Sequence, residues 1–139
     1  TRRQVFSDHT AMPLPFVEHV DARIIECAEG RSLLTLRVQP MHFNSQGAVH
    51  GAALFTLADT GMGAALFSVL EPHERCSTIE VKINYFKPVL EGVVECRSEV
   101  VHRGRSVANI DSVLTVGGAL VGKANGSFAI FLPRVRVAT

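Results

Sequence analysis

Residues 51–70, GAALFTLADTGMGAALFSVL, carry a single charged side chain, Asp59. The run is near the minimum length of a bilayer span. It is rich in Gly and Ala, lacks flanking aromatics and holds a central carboxylate, which is costly in hydrocarbon. It therefore reads as a buried core helix, begun at or beside His50 and stopped by Glu71-Pro72. A helix apolar nearly all round must be covered on most sides. The rest of the chain has to supply that cover.

Outward from the helix, the sequence reads as strands. Upstream, Val20 to Ala28 and Ser32 to Val38 flank a turn at Glu29-Gly30-Arg31, and Leu34, Leu36 and Val38 alternate with more polar positions. Pro40 ends the second strand, and residues 41–49 form a polar loop with Gly47. Downstream, Ile79, Val81, Ile83 and Tyr85 alternate with Glu80, Lys82, Asn84 and Phe86. Lys87-Pro88 closes that run and Glu91-Gly92 makes a turn. Val93 to His102 and Arg105 to Val116 form a hairpin at Gly104. After Gly117-Gly118, Ala119 to Leu132 is the last strand, with Phe128 and Ile130 on one face and Val121 and Phe131 on the other.

Residues 1–18 are expected to form an irregular arm, since Pro13 and Pro15 discourage helix. Phe6, Leu14, Phe16 and Val17 would anchor it, and the basic tail 133–139 would be loose. The expected class is α+β in one domain over residues 1–139: two leading strands, one long helix, and four trailing antiparallel strands. A twisted antiparallel sheet wrapped around a central helix is the hotdog fold. The edges of so small a sheet invite pairing with another subunit.

Composition narrows the function. With 139 residues, 47% of them hydrophobic, the chain suits one domain with a real core. A net charge of +1 lacks the basic surplus of a general nucleic-acid binder. Cys27, Cys76 and Cys96 are odd in number and unpaired in spacing, which points to a reducing cytosol. No signal peptide is visible at Thr1-Arg2-Arg3-Gln4, so a cytoplasmic, membrane-free location is expected. His42 and His50 sit in no metal-binding pattern, and there is no Gly-x-Ser-x-Gly elbow.

Two places could carry chemistry. Asp59 is costly in an apolar helix unless it is paired, solvated or useful; it could also simply cap a loop. At the helix start, Asn44, Gly47, His50 and Gly51 crowd together. The first N–H groups of a helix lack internal partners and carry the positive end of its dipole. The Gly51 N–H could bind a carbonyl oxygen gaining negative charge, with glycine admitting a substrate closely. The same residues also suit an ordinary loop-to-helix turn. His50 could be a base, an orienting donor or structural. Gly51 and Asp59 stand eight residues apart, roughly 12 Å along a helix. A base and an oxyanion donor must each lie about 3 Å from one reacting centre. If both act on one substrate, they come from different chains of a two-fold dimer. A third feature is basic: Arg103-Gly104-Arg105 at the hairpin, with Lys87, could grip phosphates or be solvated turn residues.

The run HFNSQGAVHGAALFTLADTGMGAA, residues 42–65, resembles the signature of hotdog acyl-CoA thioesterases of the phenylacetic-acid-degradation (PaaI-like) type. Asn44, Gly47, His50, Gly51 and Asp59 match its spacing, and TIEVKINYFKPV, residues 78–89, is similar to the family's strand after the helix. Where the family often has a second glycine after the His-Gly, this chain has Ala52. The resemblance implies thioester hydrolysis without metal or other cofactor, coenzyme A being part of the substrate. It implies that the Gly51 N–H polarises the carbonyl and that the partner chain's carboxylate at position 59 acts as base or nucleophile. Asn44 and His50 would orient, Thr78 (or its neighbour Ser77) would place a hydroxyl near Asp59, and Arg103, Arg105 and Lys87 would meet the nucleotide. Assembly is expected as a homodimer or a tetramer of two dimers. Tyr85-Phe86, Phe55 and Met62 could line an aryl or medium-chain acyl pocket, with the core as the expectation for Phe55 and Met62. A hydratase or dehydratase of acyl thioesters and a non-catalytic acyl-CoA-binding protein are the alternatives.

Overall fold

The computed structural model describes residues 14–134. Its elements in chain order are α1 (Pro15–His19), β1 (Ala22–Ala28), β2 (Arg31–Arg37), α2 (Gly51–Phe67), β3 (Arg75–Tyr85), β4 (Val93–Arg103), β5 (Val107–Val116) and β6 (Ala119–Phe131). A short 3-10 turn, Pro40–His42, precedes the loop into α2. The six strands form one antiparallel sheet in the order β1-β2-β4-β5-β6-β3. The fold is the hotdog fold expected from the sequence. Among the described residues no helix is long and apolar enough to cross a membrane.

The sheet buries one face of α2. Leu57, Ala58, Met62, Ala65 and Leu66 are fully buried against Leu34, Leu36, Ile110 and Leu114. Each such large side chain contributes about 1.5–3 kcal/mol relative to exposure. The approach is close: a Cβ at Gly61 would lie 2.7 Å from Ser98 Oγ. Small hydroxyls then satisfy the polar groups brought inside. Ser32 Oγ donates to the Gly61 carbonyl at 2.6 Å, and Ser68 Oγ accepts from Gly30 N–H at 2.8 Å.

Four expectations are corrected. Residues 15–18 are helical, because Pro15 occupies the first helical position, where its missing N–H costs nothing and its φ is already set. Phe6 and Pro13 lie outside the described residues, as does the tail beyond Arg134. Ile79 does not share a face with Val81 and Ile83: the β3–β6 register slips between Thr78 and Glu80, and Ile79 is 58% exposed. Val121 and Phe131 do not share a face either. A second slip opposite Leu114/Thr115 turns Val121 inward, while Phe131 is exposed. Finally, Phe55 is not core, unlike Met62. It lies on the side of α2 that the sheet leaves open.

Candidate active site

The bulge at Ile79 decides what meets Asp59. Upstream of it, Cys76 and Thr78 point toward α2; downstream, Val81, Ile83 and Tyr85 do. An extra residue thus switches which strand positions face the helix. Thr78 Oγ1 donates to Asp59 Oδ1 at 2.7 Å. Of the two candidate hydroxyls, Thr78 is the one on the carboxylate; Ser77 lines the adjoining cavity. Burial pushes the Cys76 thiol up, and the Asp59 charge adds to the shift.

Two cavities share Asp59 and Thr60. One, of about 500 Å³, is lined by Phe16, Ala52, Phe55, Thr56 and Tyr85. The other, of about 380 Å³, is lined by Leu14, Val17, Gly63, Phe67, Arg75 and Phe128, among others. Both walls are mainly apolar, and the carboxylate stands where they adjoin. A larger open groove of about 1010 Å³ crosses the opposite side of the sheet, among Glu26, Arg31, Arg97 and Glu99. It shares no lining residue with the two cavities at Asp59.

The helix start is built by its neighbours. His50 is the N-cap: its Nδ1 accepts from Ala52 N–H at 2.9 Å, so the ring proton sits on Nε2. Nδ1 is thereby withdrawn from any role as base. Asn44 Oδ1 accepts from Gln46 N–H and Ala48 N–H, which folds the loop back before the helix. Gly47 has φ +78° in that turn, a conformation glycine adopts freely. His42 is structural: buried, it accepts from Gln39 N–H at Nδ1 and donates from Nε2 to the Val20 carbonyl.

Tyr85 is the neighbour that the sequence reading placed only as a pocket wall. Its hydroxyl donates to the Gly51 carbonyl at 2.9 Å, and a Cβ on Gly51 would lie 3.0 Å from its ring. Glycine at 51 therefore admits Tyr85 from within the chain. Burial pushes the Tyr85 phenol up.

The structure brings Asp59 to Thr78, and Gly51 to Tyr85 and His50. It does not bring Gly51 to Asp59, which stay two helical turns apart on α2. The basic residues separate as well. Arg103 is ion-paired with Glu74 and donates to the Gly104 carbonyl at 3.1 Å. The Glu71 N–H and then the Arg103 guanidinium hold the Glu74 carboxyl below the usual carboxylate range. Gly104 is required by the turn, since a Cβ would lie 2.6 Å from the Val107 carbonyl oxygen. Arg105 and Lys87 are exposed. Arg75, at the head of β3, was missed: it lines the Asp59 cavity, and only its position three residues before Thr78 could have signalled it. Among the described residues no three His, Cys, Asp or Glu side chains cluster as a metal would require.

An antiparallel sheet wrapped around one glycine-opened helix is the architecture of the hotdog thioesterases, and the sequence matches that class. Residues 46–121 match the family described as the Thioesterase superfamily. A protein of Pseudomonas aeruginosa named "Putative esterase PA0474" is 30% identical over 102 residues, 73% of this chain and 76% of its own. The solved structure of conserved protein PA5202, also from Pseudomonas aeruginosa, superposes with a TM-score of 0.83 at 32% identity, covering 86% of this chain and 96% of that one. A point mutant of the phenylacetic acid degradation protein PaaI from Thermus thermophilus shares the fold, with a TM-score of 0.78 at 24% identity over 84% of this chain and 98% of that one. The chain belongs to the thioesterase superfamily, and its class of chemistry is thioester hydrolysis.

Proposed function

We propose that the chain is an acyl-CoA thioesterase that cleaves an aryl or medium-chain acyl group from coenzyme A. The observation that carries this reading is the Asp59 carboxylate, held by Thr78 where two apolar cavities adjoin. Thr78 occupies Oδ1, which leaves Oδ2 for chemistry. As a general base, Oδ2 takes a proton from water while the water oxygen bonds to the thioester carbon. As a nucleophile, it bonds to that carbon itself, and water then cleaves the anhydride. On either route the tetrahedral oxyanion collapses, the C–S bond breaks, and the thiolate leaves and takes up a proton.

The N–H of Gly51, first residue of a 17-residue helix, suits the oxyanion. Since Gly51 and Asp59 are roughly 12 Å apart on one helix, the pair that shares a substrate comes from two chains. The exposed edge of β3 offers the contact for a dimer, and two dimers would make a tetramer. Asn44 Nδ2 and His50 Nε2–H orient the substrate or the water beside Gly51. Arg105 and Lys87 meet the nucleotide phosphates, with Arg103 acting through its hold on Glu74. Coenzyme A enters as part of the substrate, and no other cofactor takes part.

The test is free-thiol release from a panel of aryl and straight-chain acyl-CoAs, for wild type and Asp59→Asn. Wild-type turnover with a loss of about a hundredfold or more in the variant is expected of a base or nucleophile. Binding of acyl-CoA with no thiol released by either protein would make the chain a binding protein. Water added to or lost from the acyl chain, with a double bond consumed or formed and no thiol released, would make it a hydratase or dehydratase.

A further inference from the structure

Besides Gly51, three glycines sit under or on α2, and two of these have a packing reason. A Cβ at Gly61 would lie 2.7 Å from Ser98 Oγ, and one at Gly126 would lie 2.7 Å from Met62 Sδ. Gly63 is different. Its nearest neighbour for an added Cβ is Phe128 Cε2 at 3.7 Å, an ordinary contact. Its backbone is plain α-helix, and no positive φ demands glycine there. Alanine would hold that helix better, because glycine gives up more backbone entropy on folding. Neither packing nor conformation within the chain accounts for the bare position.

The cavity accounts for it. Gly63 stands one helical turn after Asp59, on the same face, and both line the cavity of about 380 Å³. At roughly 30 Å³ per water-sized group, that space holds on the order of ten heavy atoms. Leu14, Val17, Phe67 and Phe128 make the apolar part of its wall, which suits a hydrocarbon or aryl group, and Arg75, Ser77 and Thr78 line the same cavity.

We infer that Gly63 is a specificity-determining residue: its missing side chain keeps open the floor of the acyl pocket beside Asp59. The inference rests on the thioesterase reading of Asp59. It assigns the 380 Å³ cavity to the acyl group and makes position 63 the gauge of its length. A side chain there would project into the space next to the carboxylate and shorten the acyl group accepted.

The experiment compares Gly63→Ala and Gly63→Leu with wild type. The readouts are kcat/KM for acetyl-, octanoyl- and phenylacetyl-CoA, the melting temperature, and the assembly state by light scattering. Gly63→Ala is expected to melt at or above the wild-type temperature. The ratio of kcat/KM for octanoyl-CoA to that for acetyl-CoA is expected to fall in both variants, by about tenfold or more for Gly63→Leu, since single methylenes in apolar pockets carry selectivity of that size. If Gly63→Leu does not fold, the same ratio in Gly63→Ala decides. An unchanged ratio in a folded variant overturns the inference. So does loss of assembly in Gly63→Leu, which would give the bare position to a subunit contact. No turnover by wild type on any thioester would instead remove the reading of Asp59, and the inference with it.

Discussion

At the scale of single residues, Thr78 and Glu74 show how the site and its support are held. Thr78 donates to Asp59 Oδ1 at 2.7 Å, a hydrogen bond to a charged group. Such bonds contribute about 1.5–3 kcal/mol, so Thr78→Val is expected to lower kcat roughly ten- to a hundredfold. Thr78→Ser, which keeps the hydroxyl, should recover most of the rate. Full activity in Thr78→Val with the loss in Thr78→Ser would mean that the methyl, and not the hydroxyl, matters. Glu74 ties the segment after α2 to the β4–β5 hairpin through Arg103. Its carboxyl titrates below the ordinary value of 4.5, so the folded state favours the charged form. The stability from this tie is complete above about pH 4.5 and is lost as pH falls through the folded value. Glu74→Gln should therefore melt below wild type at pH 7, and the difference should shrink as pH falls below about 4.5. Parallel curves across that range would show that the ion pair contributes no pH dependence.

At the scale of elements, the bulge in β3 decides which positions of the strand meet α2. Ile79 is the extra residue, exposed on an edge strand, and it sets which side of β3 faces α2 on either side of it. Deleting Ile79 removes only the extra residue: Thr78 opposite Phe128 and Glu80 opposite Ser127 become neighbours in a regular strand, and Thr78, Val81, Ile83 and Tyr85 all keep their side toward α2. The deletion variant is expected to fold, by circular dichroism, and to lose less activity than Thr78→Val. A deletion variant that loses as much as Thr78→Val would show that the bend at Ile79, and not the register alone, aims Thr78. The strand itself was legible from the alternation of residues 79–86, but the bulge was not. Nothing in Thr78-Ile79-Glu80 departs from an ordinary strand pattern; only pairing with β6 reveals the extra residue. The order of helix and strands was readable because Gly and Pro punctuate them, and α2 because its apolar run has one charge. Helix α1 was hidden by reading Pro15 as a breaker when it stands at a helix start. Phe55 was misplaced for a related reason. Periodicity cannot tell which side of an all-apolar helix the sheet leaves open. Arg103 shows the limit for charges: a basic turn residue announces affinity for an anion, and sequence does not show that Glu74 supplies it.

At the scale of the whole molecule, the separation of Gly51 from Asp59 becomes a statement about assembly. One helix presents both groups, eight residues apart, roughly 12 Å along the axis. A two-fold contact that runs the helices past each other could bring Gly51 of one chain to the carboxylate at position 59 of the other, twice over. Subunit mixing tests this directly. Asp59→Asn removes the carboxylate, and Gly51→Pro removes the N–H at a first helical position, where proline is tolerated. Tyr85, whose ring lies over Gly51, is a side chain on an exposed strand end and can shift to admit the proline ring. Each variant alone is expected to be inactive. When the two are mixed, unfolded and refolded together, half of the dimers should be mixed ones. In a mixed dimer with sites shared between chains, one site combines the intact Gly51 with the intact Asp59, and the other carries both defects. One active site in half of the dimers restores about a quarter of the wild-type rate per chain. If each chain instead builds its own site, every site in the mixture keeps one defect and no activity returns. The fraction recovered thus reports the composition of the site without any further structure.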